Sequence, residues 1–365
     1  MSAYFIKPRI VVGELSADAV DTFDLGTEVL ILVSKTVRDQ FDLDAIFAKL
    51  SATKNLHIFD HIRPDAPFDD LDRVIEEVGA VKLEAIIAIG GGSIIDAAKA
   101  LSISFSGTDY KEVFYQKADV PKSKIKVLAI PTTAGTGAEL SFGAILYDKQ
   151  NGVKGGVRGE IVQPNFVLID AKLHNGCPTK LKAEVGFDCL THAVETYISK
   201  KSNAVVRLQS VSCIQNVFDH LVPACKANSL YDMEKVAISS ALMGINLAYS
   251  STCLPHRMQY VIGPITGTSH AQGLIALYKG WIKNLVENDV KEFSDLAKDL
   301  GMDKDQLYKR IALLKTDLGI DYTISDLGIK ESQIEEVAKR VTGNVQADPS
   351  YQDFNTIVNI LKYSL

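Results

Sequence analysis

The sequence predicts an α/β domain built on a parallel sheet, followed by an all-helical domain, and three observations predict it. Short, apolar, β-rich runs alternate with amphipathic stretches of about ten to fifteen residues through the first half. Near Pro178 the alternation stops and helical periodicity continues to the end. Two of the apolar runs end in turns crowded with glycine or threonine, which is where an open parallel sheet binds ligands.

Taken in order, Arg9 to Gly13 is a strand, with a helix from about Ser16. Residues 28–33 are a buried strand, followed by a helix over about 37–51. Apolar runs at 56–59, 85–89, 126–130 and 165–169 continue the series, and their continuous apolar character is that of strands covered on both faces. Asp148 to Gly152, with Gly155 and Gly156 after it, reads as a hairpin before the last strand. The junction 170–178 is the expected boundary between domains 1–175 and 176–365. Helices are then expected at 179–200, 205–228, 232–250, on both sides of Gly263-Pro264, and at 290–300, 303–318, 331–342 and 353–363.

At 365 residues the chain suits two cores. Its 47% hydrophobic and 23% charged content is that of a folded, water-soluble protein, and a net charge of −6 argues against nucleic acid or an anionic membrane as partner. The opening residues Met1 to Arg9 hold no apolar core of leader length, and no run approaches the roughly 18 apolar residues of a membrane span, so a cytoplasmic protein is expected. Five cysteines, odd in number and without a Cys-x-x-Cys pair, read as reduced packing residues.

The chemistry concentrates between Gly186 and His270. Asp188 and His192 are four apart in a helical pattern, so their side chains leave one helix face a turn apart. His256 and His270, fourteen apart, would stand roughly 21 Å from each other on an unbroken helix, too far to share an ion. The chain between them must turn. Gly263-Pro264 is expected to end one helix, Gly267 to loosen the loop, and Thr268 or Ser269 to cap a new helix at His270. One carboxylate and three imidazoles then form the ligand set of a single divalent metal. With seven histidines in the chain, spacing alone leaves open that these are packed or surface groups.

The glycine turn, Gly90-Gly91-Gly92-Ser93, joins a buried strand directly to a helix. Glycines let backbone N–H groups approach a phosphate, the helix N-terminus favours its charge, and Ser93 is placed to cap the helix. It is neither Gly-x-Gly-x-x-Gly nor a P-loop, and a plain strand-to-helix turn is the competing reading. The second turn offers Thr132, Thr133 and Thr136 with two glycines, Gly135 and Gly137. Together they read as the seat of a diphosphate with its ribose and nicotinamide.

Three motifs make this specific: Gly90-Gly91-Gly92-Ser93-x-x-Asp96-x-Ala98-Lys99, Pro131 to Glu139, and Gly186-Phe187-Asp188-x-Leu190-Thr191-His192-Ala193-x-Glu195. In order and spacing they resemble the motifs of the iron-containing (group III) alcohol dehydrogenases over almost the whole chain. Asn344 to Pro349 resembles that family's closing Asn-Pro region. The resemblance implies a Rossmann-like N-terminal dinucleotide-binding domain, a helical metal-binding and substrate domain, and Fe²⁺ or Zn²⁺ in the cleft between them. It implies Asp188, His192, His256 and His270 as metal ligands, and Gly90, Gly91, Gly92, Ser93, Thr132, Thr133, Thr136 and Lys154 against the cofactor, with Asp96 near the nicotinamide. Homodimers or larger homo-oligomers are common in the family. The expected reaction is hydride transfer between NADH or NADPH and a small aldehyde or alcohol. A dehydroquinate-synthase-like lyase or cyclase shares the architecture, but typically with two ligand histidines and a more basic pocket; a catalytically silent binding protein is a further alternative.

Three departures sharpen the expectation. Arg257 and Tyr260 stand where the family usually has glycine and histidine. The Tyr260 hydroxyl could donate a proton, and Arg257 suits a carboxylate, phosphate or phosphonate on the substrate. A small anionic aldehyde is therefore expected, phosphonoacetaldehyde-like compounds included. Ser34, where NAD-preferring members often have Asp, permits NADPH with Lys35 and Arg38 nearby.

Overall fold

Six strands, β1 (Arg9–Val12), β2 (Glu28–Val33), β3 (Asn55–Phe59), β4 (Ala85–Gly90), β5 (Lys126–Pro131) and β8 (Phe166–Ile169), form one parallel sheet in the order β1-β8-β5-β4-β2-β3. Between them the chain makes α1 (Ala17–Asp21), α2 (Lys35–Gln40), α3 (Leu43–Leu50), α4 (Phe68–Val78), α5 (Gly92–Ser104), α6 (Tyr110–Phe114) and, after β8, α7 (Ala171–Asn175). The computed structural model describes residues 6–365; of the opening stretch read for a leader, residues 1–5 lie outside it. It divides into one unit ending at Cys177 and a second from Pro178 to Leu365.

The period of two along each strand sorts the first unit's core. Leu30, Leu32, Ile86, Ala88, Val127 and Ala129 meet Leu71 and Val74 of α4 and Ala97 and Leu101 of α5 on one face. Val29, Ile31, Val33, Ile87, Ile89 and Leu128 meet Val20 of α1 and Phe47 and Leu50 of α3 on the other. Each Val, Leu, Ile or Phe among them contributes about 1.5–3 kcal/mol on burial. β3 leaves toward one edge and β4 returns to the opposite side of β2, so the strand order reverses between β2 and β4. A crevice outside the carboxyl ends of these strands is the ligand position of such sheets. The expected hairpin is β6 (Gly143–Asp148) with β7 (Val153–Arg158), an antiparallel pair outside the sheet.

The second unit is helical: α8 (Thr179–Ile198), α9 (Ala204–Lys226), α10 (Leu230–Tyr249), α11 (Leu254–Thr266), α12 (His270–Glu287), α13 (Lys291–Asp299), α14 (Lys304–Leu318), α15 (Ile334–Arg340) and α16 (Phe354–Tyr363). Buried almost all round from Lys182 to Ile198, α8 packs against α9, α10 and α12. No helix among the described residues is long and apolar enough to cross a membrane.

Several boundaries differ from expectation for local reasons. The helix expected over 37–51 is two, α2 and α3, split at Asp42, whose φ of 47° no helix accommodates. The one expected over 331–342 begins as a 3₁₀ turn, Glu331–Gln333, before α15. The break expected at Gly263-Pro264 lies further on: α11 runs through both residues and stops at Gly267, φ 67° and ψ 16°. Pro264 sits in the last turn, where its missing N–H costs only the bond to Tyr260, and the left-handed glycine supplies the stop. Ser269 then caps α12 reciprocally with Gln272.

Candidate functional site

In the first unit the two singled-out turns touch. Gly91 is the extended N-cap of α5 and Gly92 its first helical residue. A Cβ on Gly91 would stand 3.3 Å from Thr133 Oγ1, and one on Gly92 would stand 3.2 Å from Thr136 Oγ1. The turns approach this closely because neither glycine carries a side chain. Thr132 N–H donates to Gly90 O (3.0 Å) and Ser34 N–H to Ile89 O (3.0 Å), which sets Ser34, the glycine turn and the threonine turn side by side at the ends of β2, β4 and β5. The result is a helix N-terminus whose first-turn N–H groups lack helical partners, edged by small or hydroxylated residues, and it fits a diphosphate.

Ser93 does not cap α5. The N-cap is Gly91, two residues before it, and Ser93 Oγ instead accepts from Asp65 N–H (2.9 Å). Asp65 also receives Lys154 Nζ at 2.7 Å, so it joins β7 to the glycine turn. Sequence reasoning missed Asp65; the available signal was its place between Pro64 and Pro67, where both Asp65 and Ala66 take positive φ. Asp96 lies on α5, buried, its Oδ2 accepting from Ile145 N–H at 3.0 Å, and burial lifts its carboxyl above the usual range. Arg38, expected to favour a 2′-phosphate, is bound to Asp44 (2.8 Å) and Asp60 (3.0 Å). Lys35 remains as the exposed cation beside Ser34.

In the second unit, α8 brings Asp188 and His192, α11 brings His256, and the first residue of α12 is His270. One ligand atom from each lies within 4.8 Å of every other, and all but His270 are buried. His192 Nε2 and His256 Nε2 are 3.0 Å apart, close to the roughly 3.3 Å between ligand atoms around a tetrahedral ion with bonds near 2.0–2.1 Å. His256 Nδ1–H donates to Glu195 Oε1 (2.8 Å) and His270 Nδ1–H donates to Gln259 Oε1 (2.6 Å). In both rings this leaves Nε2 with the lone pair a metal needs. Burial holds His256 well below its usual pKa, in the neutral form, and pushes Glu195 up to about 8. The donor set and its orientation fit Zn²⁺ or Fe²⁺.

Glu195 and Gln259 were assigned no role from sequence. Each stands three residues after a histidine of the cluster, on the neighbouring turn, and that spacing was the signal. Asp348, in the closing Asn-Pro region, was also missed. Its carboxylate accepts from Leu254 N–H (3.0 Å), Trp281 Nε1–H (2.8 Å), Ser350 N–H (2.8 Å) and Ser350 Oγ–H (2.7 Å), and so anchors the start of α11 two residues before His256.

Tyr260, half exposed, stacks on the His270 ring at 6.0 Å between centroids and 22° between planes. Arg257 lies over the other aromatic partner in this stack, 5.0 Å from the Tyr260 centroid, and donates from Nη2 to Thr252 Oγ1. Its buried Nε has no hydrogen-bond partner among the described residues.

Comparison with known proteins gives the context. An aldehyde-alcohol dehydrogenase of Streptococcus pneumoniae is 27% identical over 348 residues, which is 86% of this chain and 39% of that protein; the chain thus spans about two fifths of that relative's length. An NAD-dependent methanol dehydrogenase of Bacillus methanolicus is 25% identical over 383 residues, covering 100% of both chains. The fold is that of a sulfoacetaldehyde reductase from Bifidobacterium kashiwanohense solved with NAD⁺, with a TM-score of 0.91 and 21% identity over 100% of this chain and 98% of that one. Residues 8–171 match the model of the iron-containing alcohol dehydrogenases and residues 182–365 match the model of that family's C-terminal part. Matched in order through nearly its whole length, the chain belongs to the iron-containing alcohol dehydrogenase family.

Proposed function

We infer that this protein interconverts a small aldehyde and its alcohol with a nicotinamide nucleotide and a divalent metal, and that its preferred aldehyde carries a negative charge. The observation that carries the reaction class is the convergence of Asp188, His192, His256 and His270, with two imidazoles bound at Nδ1 by Glu195 and Gln259, which leaves each Nε2 a lone pair for a cation. A cation held there supplies Lewis acidity toward a carbonyl or alkoxide oxygen, and a bound nicotinamide supplies or accepts the hydride.

The chain's own residues do the rest. The first turn of α5 and Thr132, Thr133 and Thr136 hold the diphosphate and its ribose, and Lys154, steered by Asp65, adds a positive charge. Asp96 serves the nicotinamide end. Ser34 and Lys35 tolerate a 2′-phosphate, while Arg38 is taken by Asp44 and Asp60, so both NADH and NADPH are accepted. Tyr260, stacked on His270 and reaching solvent, delivers the proton.

Arg257 supports the charged substrate. Among the described residues one of its five N–H donors is used, on Thr252, and the guanidinium lies over the Tyr260 ring beside His270. A carboxylate, sulfonate or phosphonate two or three bonds from the aldehyde carbon would engage the remaining donors. The five cysteines, four of them buried, fit a reducing, cytoplasmic setting, and assembly as a homodimer or larger is part of the same reading.

The test is a panel of charged and neutral small aldehydes with NADH and NADPH, run on enzyme loaded separately with Fe²⁺ and Zn²⁺. Arg257→Leu should lower kcat/KM for charged aldehydes about tenfold or more and leave neutral ones nearly unchanged. An unchanged charged-to-neutral ratio refutes the anionic assignment, and no turnover of any aldehyde by wild type refutes the reaction.

A further inference from the structure

Lys99 is a lysine with no exposed side-chain surface, one turn along α5 from Asp96. Its Nζ lies 2.7 Å from Gly143 O, 2.9 Å from Ser141 Oγ and 3.2 Å from Ser141 O. An ammonium has three N–H donors, and these three acceptors use them all. Asp96 Oδ1, 3.5 Å away, therefore feels the positive charge without receiving an N–H, and it has no other hydrogen-bond partner among the described residues.

The two oxygens of Asp96 are thus unlike. Oδ1 is sealed inside beside the ammonium; Oδ2 accepts from Ile145 N–H on β6 and retains a second lone pair. The side chain is 13% exposed, and that exposure does not belong to Oδ1. Two further titratable groups act on this pair: Glu139, 2% exposed, at the end of the threonine turn, and Lys154 on β7. Burying a carboxylate and an ammonium is costly unless each compensates the other. A plain helix-to-hairpin staple would need the ammonium and its three acceptors but no carboxylate beside it. The geometry serves Asp96 as well.

We propose that Lys99 is a positioning residue of the nicotinamide subsite: it holds the Asp96 carboxylate in one orientation, with the Oδ2 edge presented to the N–H of the ring's carboxamide. This rests on the cofactor reading above. Lys99 itself touches no ligand. Its effect reaches the nucleotide through Asp96, and so falls on the nicotinamide end alone.

The experiment compares NADH with ADP-ribose, which has the same adenosine diphosphate and ribose but no nicotinamide. Dissociation constants for both are measured on one preparation each of wild type, Lys99→Met and Lys99→Gln, by NADH fluorescence and by competition. Because the ratio of the two constants does not depend on the fraction of folded protein, partial misfolding does not distort it. Lys99→Gln keeps N–H donors for the Ser141 and Gly143 carbonyls and covers the case in which Lys99→Met fails to fold. Both variants should weaken NADH about tenfold while ADP-ribose stays within about twofold. Equal weakening of both nucleotides, or no change in either, overturns the proposal and leaves Lys99 a structural staple. If wild type binds neither nucleotide, the cofactor reading itself fails and the proposal falls with it.

Discussion

Glu195 Oε1 stands 2.8 Å from His256 Nδ1, and the same carboxylate takes Cys253 N–H on Oε2 at 2.6 Å. One buried side chain thereby fixes both the imidazole and the N-cap of the helix that carries it. Removing it frees the ring to rotate or to change tautomer. Glu195→Leu should weaken metal binding about 10–100-fold, with Glu195→Gln between the two because its amide oxygen still accepts from Nδ1. Competition with a chromophoric chelator reads the affinity directly, without turnover. Zn²⁺ affinity in Glu195→Leu equal to wild type would remove the orienting role.

Gly92 is the place where the glycine turn and the threonine turn meet. An alanine methyl there sits 3.2 Å from Thr136 Oγ1, tight enough that the threonine must shift, and it covers the first N–H groups of α5. The backbone conformation suits any residue, so the fold survives. Gly92→Ala should therefore weaken NADH and ADP-ribose alike, about tenfold or more, with little change in thermal stability. A titration in which only NADH weakens would place the diphosphate elsewhere.

The sheet and the pairing of Asp188 with His192 were legible because they depend on short-range pattern. Continuous apolar runs such as 85–89 specify a strand buried on both faces, and Asp188 with His192 needs only a helix to share a face. Ser269 as a cap followed from residue type, and the reciprocal bond with Gln272 bears it out. What escaped was set by partners distant in sequence. Nothing near Asp348 announces that Leu254 and Trp281 will donate to it, and nothing near Arg38 announces Asp60. Helix ends were also misjudged where one residue competes with another: Pro264 proved tolerable in a last turn, and the stop fell to Gly267.

Glu139 gives a pH signature that belongs to the fold. It is 2% exposed, and burial raises its carboxyl from an ordinary 4.5 to about 7, Lys99 offsetting only part of that. Between those two values the unfolded chain has released the proton and the folded chain still holds it. Folded protein therefore binds more protons, and stability falls as pH rises through this window, then levels above it. The neutral amide of Glu139→Gln escapes the penalty. At pH 8 the variant should be more stable than wild type by roughly 3 kcal/mol, and at pH 5 by under about 1 kcal/mol. Urea unfolding of both proteins at the two pH values measures the difference. A gain of the same size at both would mean that Glu139 keeps its ordinary pKa and that the substitution acts through packing.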